Sequence, residues 1–241
     1  MGCRWSGRFG EPVSASPDSR VALYYAPAED DPLWRCGNDW LGRDVRTNTR
    51  RPQPDLAGIE ELTAEPRLYG FHATLKPPMR LRDGSSRAAF LEAAARVAAG
   101  VPQFDLPPLH VANLLGFLAL REAEPSPALQ ALADICVAGV DEFRTPPDEA
   151  ELARRRRGGL PPAQEEMLVR WGYPYVFATW FFHMTLTRRL SAEEHERVRP
   201  AAERLFAPTL RLPRRVTDIC VFTQREPGAA FGLTERLALP P

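Results

Sequence analysis

The chain opens with a strand. From Arg20 to Ala26, Val21, Leu23 and Tyr25 alternate with Ala22, Tyr24 and Ala26, the two-residue period of a pleated strand, and Pro27 ends it. Residues 28–65 show no such period and read as irregular, with Trp34 and Trp40 as anchors to the core and a short helix near Ile59 to Thr63. Alternation returns in Tyr69-Gly70-Phe71-His72-Ala73-Thr74-Leu75-Lys76 and in Trp180-Phe181-Phe182-His183-Met184-Thr185-Leu186-Thr187. In a strand, positions i, i+2 and i+4 share a face. One face of the first run then carries His72, Thr74 and Lys76, opposite Phe71, Ala73 and Leu75. One face of the second carries His183, Thr185 and Thr187, opposite Trp180, Phe182, Met184 and Leu186.

Both runs lead into the same succession of elements. After the first, Pro77-Pro78 is expected to stop the ladder. Ser86 starts a helix with Phe90, Leu91, Ala94, Val97 and Ala98 on one face, Gly100 closes it, and strands are expected at Phe104 to Ala112 and Gly116 to Arg121. After the second, Ser191-Ala192-Glu193-Glu194 is a capping box, Pro200 is expected to kink or divide the helix, and strands come next at Val216 to Gln224 and Phe231 to Leu239. The order predicts a duplicated βαββ-like plan. Residues 122–178 between the copies read as a helical insert, with helices from Pro127 to about Val140, Asp148 to Arg157 and Ala163 to Trp171. Arg154 to Arg157 read as a solvated helix end, with a phosphate or RNA contact as the alternative.

Composition narrows the class. The 241 residues are 44% hydrophobic, enough for one large domain or two packed lobes, and the formal net charge is zero, so nothing global draws the chain to nucleic acid or a membrane. Thirty Arg stand against a single lysine, Lys76, an enrichment that reflects a bacterial genome composition. Four scattered cysteines without metal-ligand spacing, no membrane-length apolar run and no signal-peptide pattern favour the cytoplasm. Residues 1–19, rich in Gly, Ser, Pro and Arg, read as a flexible leader before a single domain from 20 to 241.

Of four histidines, two occupy equivalent places in the two units, each with a hydroxyl two residues on; His110 and His195 have no such support. A lone strand histidine is more often structural, but the repetition argues for a site of two imidazoles, two Thr hydroxyls and Lys76. No metal ligand set, no Gly-rich phosphate loop and no nucleophile elbow accompany them, so neither metal nor cofactor is expected. Paired imidazoles suit concerted acid–base chemistry near neutral pH, one removing a proton from attacking water while the other protonates a departing alkoxide. Thr hydroxyls and Lys76 would hold the phosphoryl oxygens.

Paired His-x-Thr motifs in a duplicated α/β chain resemble the two-histidine (2H) phosphoesterase superfamily, which includes RNA 2′,3′-cyclic phosphodiesterases of the ligT type. More narrowly, Tyr24-Tyr25-Ala26-Pro27, Trp40-Leu41-Gly42-Arg43-Asp44, the two motif runs and Trp171-Gly172-Tyr173-Pro174-Tyr175 resemble an uncharacterised branch encoded beside phosphonate-utilisation genes. The resemblance implies an α/β (α+β) bilobal fold: two antiparallel sheets flanking a cleft, helices outside, the first lobe motif around 69–121 and the second around 179–239. It implies catalytic His72 and His183, with Thr74, Thr185, Lys76, Tyr24, Tyr25 and Tyr173 as substrate contacts and no metal. The expected activity is hydrolysis of a cyclic phosphodiester of a ribose-containing small molecule. RNA end processing, not favoured by the net charge, and a non-catalytic phosphate- or partner-binding protein are the alternatives.

Overall fold

The computed structural model describes residues 19–241, so the leader expected at 1–19 lies, apart from Ser19, outside the described residues. The described residues form β1 (Arg20–Tyr25), α1 (Pro32–Leu41), α2 (Ile59–Leu62), α3 (Ala64–Tyr69), β2 (Ala73–Arg80), α4 (Arg87–Ala99), β3 (Phe104–Leu106), β4 (Leu109–Leu114), β5 (Phe117–Glu122), α5 (Pro127–Gly139), α6 (Glu149–Arg156), α7 (Pro162–Trp171), β6 (Met184–Arg189), α8 (Ala192–Leu210), β7 (Arg214–Val216), β8 (Asp218–Gln224) and β9 (Gly232–Ala238). Seven strands make one antiparallel sheet in the order β4-β5-β6-β2-β1-β8-β9, and β3 pairs with β7. The expected class, α/β with antiparallel sheets and outer helices, is the one found. The two sheets expected beside the cleft are the halves β4-β5-β6 and β2-β1-β8-β9, joined through one register pair, Ala73 with Met184.

The repeat is real but its strands are exchanged. The successions β2-α4-β3-β4-β5 and β6-α8-β7-β8-β9 match element for element. Yet β6 pairs with β5 of the first unit, while β2 reaches β8 and β9 of the second through β1. Each half-sheet therefore mixes both units, because alternation specifies which face a strand buries and not which strand lies beside it.

Several boundaries differ from expectation, each for a physical reason. Pro77 and Pro78 lie inside β2, where two residues oppose Ala22 alone between the pairs Val21–Met79 and Leu23–Lys76, a bulge that needs no donor from either proline. The segment 104–112 divides at Pro107-Pro108 into β3 and β4. α8 runs undivided through Pro200 and Pro208, its buried Val198, Ala202 and Phe206 packed in the core. Helix α1 occupies part of the stretch read as irregular: Asp31 caps it by accepting from the Leu33 N–H, Pro32 opens it and left-handed Gly42 closes it.

Both faces of β1 are buried. Val21, Leu23 and Tyr25 enter the main core with residues of α1, α4, α5 and α8, while Ala22, Tyr24 and Ala26 join a smaller cluster with Phe222, Phe231 and Leu233. The helices thus cover one face of the sheet and leave the other for a cleft. In α1, Gly37 lies so close to Phe71 that a Cβ would overlap its ring. Helix propensity alone would make Gly37→Ala stabilising by about 1 kcal/mol. Overpacking against Phe71 reverses the sign, and a loss of about 1–3 kcal/mol in urea unfolding is the expected outcome.

Candidate active site

β2 and β6 meet at Ala73 and Met184, the residues that come directly after His72 and His183. Both are fully buried on the helix-covered face. Neighbours on either side of a paired strand residue point to the opposite face, so His72, Thr74, His183 and Thr185 emerge together, from Cα positions on the order of 5–7 Å apart across the strands. All four, with Thr187, line one cavity of about 610 Å³. Beyond this pair the strands part. The Trp180 indole N–H donates to the Thr74 carbonyl at 2.8 Å and that of Trp40 to the Leu186 carbonyl at 2.9 Å, satisfying strand oxygens without a longer ladder.

His72 is oriented by its own loop. Its Nδ1 is 2.9 Å from the Gly70 carbonyl, which can only accept, so the proton sits on Nδ1 and the Nε2 lone pair faces the cleft, with the Thr74 hydroxyl at 3.1 Å. Gly70 adopts φ 84° and ψ 178°, a conformation closed to residues with side chains, and a Cβ there would overlap Val45. The guanidinium of Arg43 donates to the Arg67 and Leu68 carbonyls just before it. His183 repeats the scheme with Nδ1 3.2 Å from the Phe181 carbonyl. The surroundings differ: His72 stacks on Tyr24 at 3.7 Å between centroids, whereas His183 packs against Phe181 and the edge of Phe117.

Of the remaining expected contacts, Tyr24 and Tyr173 line the cleft and two do not. Tyr25 is next to Tyr24 in β1 and so points the other way, into the core against Phe182. Lys76 is turned away by a second bulge, since Thr74 pairs with Tyr24 but Lys76 with the adjacent Leu23. The extra residue reverses the parity on which its placement beside His72 rested. Lys76 is 1% exposed, and its Nζ donates to Asp141 at 2.6 Å and toward the Val137 carbonyl on α5. His110 and His195 lie away from the cleft, as expected.

Sequence reasoning missed most of the cleft's charge. Arg20, Arg154, Arg155, Arg188 and Arg189 line it against a single acid, Glu65. The run Arg154 to Arg157 is split by its helix: Arg154 and Arg155 face the cleft, while Arg156 pairs with Glu165. Among the described residues no group of three or more His, Cys, Asp or Glu is arranged to hold a metal ion, and no helix is long and apolar enough to cross a membrane.

Electrostatics keep both imidazoles neutral. Burial pushes His72 down to about 3 despite the Gly70 carbonyl, with His183 and Arg43 adding to the effect. Burial also lowers His183, against the pull of the Phe181 carbonyl and helped by Arg121. In the buried pair below, burial lowers Lys76. For Asp141, burial acts upward but hydrogen bonds from Arg144 and Lys76 outweigh it, so its carboxylate is held below its usual range. The 2.6 Å contact and the added Arg144 bonds favour the ion pair.

The model of a family described as "Protein of unknown function (DUF1045)" matches residues 74–232, a span that begins at Thr74 and includes the second motif. It agrees with the branch expected from the paired motifs. A protein of Janthinobacterium sp. (strain Marseille) named ribose 1,5-bisphosphate phosphokinase PhnN is 37% identical over 246 residues, covering 95% of this chain and 54% of that protein. A protein of the same name from Laribacter hongkongensis (strain HLHK9) is 35% identical over 217 residues, covering 89% and 50%. The chain thus spans about half the length of the curated relatives it matches. Among solved structures, E. coli LigT complexed with NADP+ is similar at 14% identity and a TM-score of 0.44, covering 94% of this chain and 100% of that one. E. coli LigT complexed with phosphate gives 12%, 0.45, 92% and 98%.

Two outcomes are expected from this geometry. Lys76→Met should lower stability by about 3–5 kcal/mol in urea unfolding, as loss of a buried ion-pair partner does, while the His72 ring resonances keep their wild-type shifts. A displaced His72 signal would place Lys76 beside it after all. His72 itself should remain a neutral Nδ1–H imidazole by ¹⁵N NMR as pH falls from 7.5 to 5. The unfolded chain takes up that proton near pH 6.5. The stabilisation from neutral His72 is therefore full above about pH 6.5 and is lost as pH falls toward the folded-state value of about 3. Thermal midpoints measured between pH 7 and 4 should fall more steeply in the wild type than in His72→Gln.

Proposed function

We propose that this chain, which belongs to the family described as protein of unknown function (DUF1045), is a metal-independent phosphodiesterase that opens a cyclic phosphodiester of a ribose-containing small molecule. One observation carries the reading: two imidazoles of the same tautomer, each with a threonine two residues on, share one arginine-lined cavity around a single strand pair.

The chemistry needs one proton accepted and one donated on opposite sides of phosphorus. A neutral Nε2 takes the proton of the attacking water as its oxygen bonds to phosphorus. The other imidazole, protonated, gives its proton to the ribose oxygen as the P–O bond breaks. The products are a phosphomonoester and a free hydroxyl, and the imidazoles end with their roles exchanged. Thr74 and Thr185 donate to the non-bridging oxygens, whose charge grows in the transition state. Both imidazoles are neutral in the free protein, so an anionic diester between them supplies the charge that raises one of them into its acid form.

The curated relatives are named for phosphorylating ribose 1,5-bisphosphate. A kinase phosphate loop of the Gly-rich type uses a lysine, and the one lysine here is buried on Asp141. We therefore read the diesterase onto this chain and leave the kinase to the rest of those longer proteins. Opening a cyclic diester on a ribose phosphate yields a ribose bisphosphate, so the two activities would act in succession.

With chelator present, purified protein should hydrolyse ribose cyclic phosphates or 2′,3′-cyclic nucleotides. His72→Gln and His183→Gln should each lower kcat by about 10²–10⁴-fold, the size of a positioned proton transfer, with the fold retained by circular dichroism. Turnover confined to 2′–5′-linked RNA would favour end processing. Phosphate binding without turnover, indifferent to both substitutions, would overturn the catalytic reading.

A further inference from the structure

The positive charge of the cleft is unevenly neutralised. At one end Arg188 is held by Glu61 and Glu194, and Arg189 donates to the Leu115 carbonyl. At the end walled by the insert, Arg20 bonds only a neutral partner, Gln224, at 2.7 Å, and among the described residues pairs with no carboxylate. Arg154 and Arg155 share the single carboxylate of Glu151, at 3.8 and 2.7 Å. These three guanidiniums therefore have one ion-paired carboxylate, Glu151, between them. The Arg155 guanidinium lies over the Tyr173 ring at 4.7 Å, and its Nε–H is shielded from water without an acceptor. Tyr24, 0% exposed, turns a hydroxyl that also lacks a partner toward the same region, among Tyr69, Tyr173 and Arg20. Buried donors without acceptors are costly, and here both lie near Tyr173, with one of them on the ring that stacks on His72.

We infer that Arg20, Arg154 and Arg155, with Tyr24 and Tyr173, form a second anion subsite that takes a phosphomonoester carried by the substrate, separate from the diester held at the histidines. The match is one of charge and geometry. A phosphomonoester is a dianion near neutral pH with three acceptor oxygens, and guanidinium forks bind such groups bidentately. The two unpartnered donors supply further hydrogen bonds. This deepens the proposed function and rests on it only for the identity of the other group. It narrows the substrate class to cyclic phosphodiesters of a sugar that is also phosphorylated elsewhere.

Two measurements test it. In steady-state assays, adenosine 2′,3′-cyclic phosphate is compared with its 5′-phosphorylated form. Wild type should prefer the phosphorylated form at least tenfold in kcat/KM, and Arg154→Gln/Arg155→Gln should reduce that ratio at least tenfold. Equal kcat/KM for the two in wild type, or a ratio untouched by the arginine substitutions, overturns the subsite. In calorimetry, ribose 5-phosphate should bind at least tenfold more tightly than ribose. That binding should survive His72→Gln/His183→Gln and be lost in Arg154→Gln/Arg155→Gln. Loss in the histidine variant with retention in the arginine variant overturns the subsite. Arginine-dependent binding with no turnover of either nucleotide supports the subsite and removes the catalytic reading, so the two can fail separately.

Discussion

The pairing of Ala73 with Met184 is the constraint on which the site depends. Were β2 and β6 laddered along their length, their neighbouring side chains would fill the space between them and no cleft would open. With a single pair, the strands touch where the His-x-Thr motifs begin and separate beyond it. The parity of a pleated strand then sends His72, Thr74, His183 and Thr185 to one side, while the buried Ala73 and Met184 fix the other side to the helices. The indoles of Trp40 and Trp180 offset the cost of separation by bonding strand carbonyls that a ladder would otherwise satisfy. Exchange of strands between the repeated units has the same effect from outside, since each half-sheet holds one motif strand against strands of the other unit.

Alternation in the sequence was enough to read the four central side chains, because their parity is counted from residues next to the shared pair. It failed for Lys76, four residues from His72, because one extra residue in β2 inverts the faces until the bulge at Pro77-Pro78 restores them, and nothing in Leu75-Lys76 marks where the earlier bulge falls. Tyr24 and Tyr25 show the same limit in another form. Adjacent strand residues cannot share a face, and only the identity of the packed layers decides which one meets the site. For α1 the signals were present in Asp31, Pro32 and Gly42 and in Leu33, Trp34, Trp40 and Leu41 at helical spacing, but Gly37 and Asn38 occupy the buried turn between them and interrupt the apolar stripe. The roles of Arg154 and Arg155 depend on how the insert docks against β1 and β2, a tertiary fact that helical spacing does not contain.

The two histidines are near-copies in tautomer and backbone partner, yet their surroundings are not alike. His72 lies under Tyr24, and His183 lies among Phe181 and Phe117. In a symmetric site a diester could lie in either direction, and neither imidazole would be fixed as base or acid. For the proposed reaction, the different neighbours of the two rings would remove that freedom. Burial, with His183 and Arg43, disfavours an imidazolium at His72 in the free protein, so the proposed reaction would need a negatively charged ligand to raise one histidine into its acid form. Direction would thus arise from the unlike surroundings of two otherwise matching half-sites.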